Sequence, residues 1–179
     1  MPVAPLLLWL VSCAVEPITS VDTGTSPDEP QLSDSGSQDS GELDIAAEAA
    51  RCRGEAARIG EQVFQTLSEA ALAARAGDQI LVCPGVWTEH VVFPEETPTG
   101  ISLRGLGTAE QVVIDGGNQG RPLTIYGNED DRPEFNLTSL TLTGGLATNG
   151  GGLYCTHTIL SASDLHVTRN RAEFGGGIA

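Results

Sequence analysis

The 179-residue sequence contains no lysine, and its nine basic residues are all arginines, none of them before Arg51. Against 24 Asp and Glu this leaves a formal charge of −15. A basic nucleic-acid footprint is thereby excluded, and no nucleic-acid partner is expected. Aromatic residues are scarce at 4%, which leaves little for an aromatic core or a base-stacking platform. No apolar run approaches the ~20 residues that a spanning helix needs. Glycine is abundant: 15 of the 22 fall between Gly100 and Gly177, a density that disfavours helix bundles and suits a β fold rich in tight turns.

The one strongly apolar run, Leu6-Leu7-Leu8-Trp9-Leu10-Val11, has the length of a secretory h-region. Leu10-Val11-Ser12-Cys13 after it resembles a bacterial lipobox, which implies a signal over residues 1–12 and lipidation of Cys13 as the first mature residue. No Lys or Arg stands before the run, unlike the usual signal; the plainer alternative is an ordinary signal with Cys13 unmodified. Residues 13–44 are expected to be a disordered acidic linker. Eight acids and no base lie between Ala14 and Asp44, among Ser, Thr, Pro and Gly. Such a stretch buries too little to offset chain entropy.

Residues 45–63 are Ala- and Arg-rich and read as a helical segment. Thr66-Leu67-Ser68-Glu69 is a capping box, opening a helix of about ten residues with Leu67, Ala70, Ala71 and Ala74 on one face and Gly77 as its stop. Beyond it, short apolar runs recur between turn residues: 80–82, 91–93, 101–103, 112–114, 123–125, 140–142 and 165–167. The segment Ser139–Tyr154 aligns with Asp164–Ala179 at an offset of 25 residues. Leu140 meets Leu165, and Gly150-Gly151-Gly152 meets Gly175-Gly176-Gly177. That period suits one turn of a parallel β-solenoid, with the triplets as one repeated corner.

Gly77-Asp78-Gln79-Ile80-Leu81-Val82, Pro84-Gly85-Val86-Trp87-Thr88-Glu89 and Ile101-Ser102-Leu103-Arg104-Gly105 resemble the opening of the pectin-lyase-like superfamily. The resemblance implies an all-β, right-handed parallel β-helix with a short N-terminal capping helix, over residues 64–179 and about four rungs. Gly151-Gly152-Leu153, Gly176-Gly177-Ile178 and Val167-Thr168-Arg169-Asn170 resemble the polymorphic outer-membrane protein repeat, with Gly for Ala, Val for Phe, and Gly145 where the first repeat would carry Asn. An end at Ala179 without a capping element suggests a C-terminally incomplete solenoid.

The densest polar cluster is Asp164, His166, Arg169 and Arg171. On an outward strand face it could bind or process an acidic sugar, while the plainer reading is a solvated face. Glu129, Asp130, Asp131 and Glu134 could hold Ca²⁺, but their spacing matches neither the EF-hand loop nor the Gly/Asp nonapeptide of calcium-binding β-rolls, and a solvated loop is the plainer reading. Gly105-Leu106-Gly107-Thr108-Ala109-Glu110 starts like a dinucleotide fingerprint and lacks its third glycine. Cys155-x-His157 alone makes no zinc site. Cys52 and Cys83 could bridge the N-terminal segment to the first strand, and Cys155, in phase with Leu153, is expected to be a buried thiol.

These features favour a non-catalytic surface or outer-membrane-associated β-helix, held to the membrane by a lipid anchor, serving as a structural, adhesive or binding surface for an envelope or extracellular carbohydrate or protein. No cofactor is required. The alternative is a carbohydrate-active enzyme, such as a polysaccharide lyase, hydrolase or pectinesterase-like protein, with its active site outside this sequence.

Overall fold

A computed structural model describes residues 44–179 and, before them, the backbone of Ala14–Pro17. The expected signal, Cys13 and most of the linker lie outside the described residues. The elements in chain order are β1 (Ala14–Pro17), α1 (Ile45–Ala49), β2 (Ala57–Ile59), β3 (Gln62–Phe64), α2 (Leu67–Ala73), β4 (Gln79–Val82), β5 (Gly85–Thr88), β6 (Val91–Phe93), β7 (Ile101–Gly105), β8 (Val112–Asp115), β9 (Leu123–Tyr126), β10 (Glu134–Thr143), β11 (Leu146–Asn149), β12 (Leu153–Thr156), β13 (Ile159–Val167) and β14 (Arg171–Phe174).

Among β4 to β14 every strand pairing is parallel, and the chain winds into a β-solenoid of about four turns. One face stacks β4, β7 and the first halves of β10 and β13. The second stacks β5, β8 and the second halves of β10 and β13. The third stacks β6, β9 and β12. Alternation along each strand sends every second side chain inward. In-register stacking then makes apolar ladders: Ile80, Leu103 and Leu137 on the first face, Ile114 and Leu142 on the second, Phe93 and Ile125 on the third. All seven are essentially solvent-free, and Phe93 meets Phe135 edge-on at 5.2 Å.

Each of the seven short apolar runs from residue 80 onward lies in a strand. The last turn keeps a uniform 25-residue register, from Glu134 over Ile159 to Asn149 over Phe174. Left-handed corners carry the same offset: Arg132 and His157, Ser139 and Asp164, Gly144 and Arg169, and Gly150 and Gly175 all have φ between +41° and +62°. Ser139 and Asp164 turn β10 and β13 from the first face to the second.

The glycine triplets stack as one corner. The Gly150 N–H donates to the Phe174 carbonyl, and the N–H groups of Gly152 and Leu153 both donate to the Gly177 carbonyl. A Cβ on Gly151 would lie 2.5 Å from the Gly176 oxygen, so the turns approach too closely there for a side chain. Asn170 explains the asparagine of the second repeat. Its Oδ1 accepts the Gly145 N–H at 2.7 Å and its Nδ2 donates to the Leu142 carbonyl at 2.9 Å, tying this corner to the turn before it.

Three local expectations need correction. Residues 45–63 are not a continuous helical segment: α1 ends at Ala49, and β2 and β3 form a hairpin through Gly60, which has φ +56°. Burial decides this, because Ala57 is fully buried and β2 adds antiparallel to β4, covering the first edge of the solenoid. Helix α2 has seven residues, not about ten; its capping box is present, but Ala74 already leaves helical geometry, and Gly77, with φ +79°, turns the chain three residues later. Within the expected linker, Ala14–Pro17 form a strand.

Cys52 and Cys83 are joined in a disulfide. Cys155 is buried as its phase predicts, but it is disulfide-bonded and not a thiol. No helix among the described residues is long and apolar enough to cross a membrane.

Candidate functional site

The second face presents outward ladders that run across turns. Val86, Val113, Thr141 and His166 form one such ladder, in register. Thr141, Thr143, His166 and Thr168 stand beside Val113, Glu110 and Arg169 in an open groove of about 300 Å³. The inward neighbours Leu140 and Leu142 are fully buried, so packing fixes the outward direction of Thr141 and Thr143. Thr141 is further held by its hydroxyl, which donates to the Ala109 carbonyl at 2.7 Å.

His166 lies between two carboxylates. Its Nδ1 is 3.6 Å from Glu110 Oε1, and its Nε2 is 3.7 Å from Asp164 Oδ1. Glu110 reaches it from the loop between β7 and β8, on an earlier turn. The carboxyl of Glu110 is held below the ordinary carboxylate range, chiefly by the Thr108 hydroxyl, then by its own backbone N–H and by the charge of His166. The imidazole is about half exposed, so both contacts stay open to solvent.

Of the four residues singled out in sequence, three come together. Asp164 sits at the bend of β13 and faces His166, and Arg169 lines the groove at the next corner. Arg171 does not join them. It lies on β14, in a separate depression of about 360 Å³ with Leu146, Ala147, Ala172 and Glu173. The 25-residue corner at Arg169 separates the two, since the chain leaves the second face there. Sequence reading missed Glu110, which sits in the stretch set aside as an incomplete dinucleotide fingerprint. Only the stacking of turns brings it to His166.

The acid run Glu129–Asp131 forms a turn around Asn128, whose Oδ1 accepts the N–H groups of Asp130 and Asp131. Glu129 faces His157 at 3.5 Å, and the Glu134 N–H donates to Thr99. These acids do not converge. Among the described residues, the potential metal ligands that do cluster are Cys52, Glu55 and Cys83, and the two sulfurs there are spent in the disulfide. Glu89, from the family-like segment, is structural: it accepts the Leu67 and Ser68 N–H groups and the Ser68 hydroxyl, fastening α2 to the turn below.

On the third face, Arg121 donates to the Gly150 and Asn149 carbonyls and the Thr124 hydroxyl, and lies 4.8 Å over the Tyr154 ring. Burial lowers its pKa from the ordinary arginine value. Its donors thus brace the glycine corner.

The fold and the groove define a parallel β-solenoid with an open groove on its second face. Comparison with family models, with curated proteins and with solved structures finds no match for this chain.

Proposed function

We propose that the chain is a non-catalytic β-helix exported to the cell envelope, where its second face binds an extracellular carbohydrate. The observation that carries this reading is the groove itself. Thr143, Thr168, the Glu110 carboxylate, the His166 imidazole and the Arg169 guanidinium line one open groove, with Asp164 facing the other nitrogen of the imidazole. Hydroxyls and carboxylates are the groups that exchange hydrogen bonds with sugar hydroxyls, and Arg169 supplies a donor fork for a uronate carboxylate.

Export is supported by the apolar run at the N-terminus and by the Cys52–Cys83 disulfide, a bond that persists in oxidising compartments. The likeness to pectin-lyase-like openings and to polymorphic outer-membrane repeats points the same way. Lipidation of Cys13 would add a membrane anchor. The intact mass of the exported protein tests it.

Calorimetric titration with polygalacturonate and with a neutral xylan tests the binding. The wild type is expected to bind one of them, and Arg169→Ala with His166→Ala to weaken that binding at least tenfold. Absence of binding to both overturns the carbohydrate reading. Release of shortened oligosaccharides during incubation would favour the enzyme alternative.

A further inference from the structure

The last turn of the solenoid exposes apolar residues: Ile159 and Ile178 are each 39% exposed and Phe174 is 66% exposed. Its outer edge, β13, is a parallel strand with backbone groups facing outward. Such an edge templates pairing with another chain unless something covers it. Here β1 covers it. Ala14, Val15, Glu16 and Pro17 pair in parallel with Ile159, Leu160, Ser161 and Ala162, on the side opposite β10.

We infer that Ala14–Pro17 shields the outer edge of β13, occupying the side on which two copies of the chain would otherwise pair. Its chemistry suits that role. It is only four residues long, so it offers a short edge of its own. It closes on Pro17, which has no N–H to extend the ladder. The opposite end of the solenoid is covered by the β2–β3 hairpin in the same manner, antiparallel on β4.

The test is a Val15→Pro, Glu16→Pro double variant of the full chain. Alternate residues of a parallel strand face a given neighbour, so one of these two N–H groups must point to β13. Glu16→Ala, which keeps both donors, is the control. Hydrogen exchange and sedimentation velocity are read together, with slow exchange in β4 and β7 confirming that the fold is retained. The expected result is at least tenfold faster exchange within Ile159–Ala162 and a shift from monomer to dimer or larger species at micromolar concentration, with the control unchanged. Unchanged exchange overturns the docking. Faster exchange in a protein that stays monomeric overturns the blocking role.

Discussion

Gly150 and Gly175 show how much one backbone angle decides in this chain. Both are first in their triplets, both have φ near +55°, and both hold the same corner on successive turns. A β-branched residue there is strained by about 1–3 kcal/mol. Gly150→Val and Gly175→Val are therefore expected to lower stability by that amount in urea unfolding. Gly176→Val is expected to cost less, since a Cβ there meets nothing within 4 Å and its φ is not left-handed. Equal melting of all three variants with the parent would refute the corner assignment. Glu89 is the second residue on which much rests. Glu89→Ala leaves two N–H groups at the start of α2 without their acceptor and is expected to cost about 1–2 kcal/mol. Glu89→Gln should recover part of this. The glycine corners were legible because a positive φ selects glycine in the sequence. The corners at Arg132, Ser139, His157, Asp164 and Arg169 were not, since ordinary residues occupy the same angles there.

Among the elements, the N-terminal cap is the one that sequence pattern misjudged. Its alanines and arginines favour helix, yet the free edge of β4 and the buried positions of Ala56 and Ala57 draw the chain into a hairpin. The Cys52–Cys83 bond then closes a loop of 31 residues across this cap and the first strand. By chain entropy such a closure contributes about 3–4 kcal/mol, so the Cys52→Ser, Cys83→Ser double variant should unfold at correspondingly lower urea. A change under about 1 kcal/mol would show that the cap is held by packing alone. The core strands were legible because their apolar runs are short, regular and bounded by turn residues. β11 and β14 were not: they carry Leu146 and Phe174 outward and bury almost nothing, so no apolar pattern marks them.

The whole molecule depends on turns stacking in register, and its groove exists only because of that stacking. Glu110 and His166 are distant in sequence and no motif links them, so the site was half visible: the β13 cluster could be read, its partner on an earlier turn could not. Acid should loosen the same arrangement. Glu110 and Glu55 both have carboxyl pKa values lowered in the folded state; for Glu55 the first causes are its own backbone N–H and that of Arg53. The stability they contribute is complete above the ordinary carboxylate range and is lost as pH falls through their lower folded values. The urea midpoint should therefore drop as pH falls below the ordinary carboxylate range, and drop less in a Glu55→Gln, Glu110→Gln variant. The register itself can be read directly. Thr138 pairs with Ser163, and their hydroxyls are 3.4 Å apart on the outer surface. Nitroxide labels on a Thr138→Cys, Ser163→Cys variant should show strong dipolar broadening in continuous-wave electron paramagnetic resonance, against sharp lines for each single label. A slip of one residue would send one label to the opposite face of the sheet. Spectra of the double variant equal to the sum of the singles would contradict the stacked solenoid, and with it the groove.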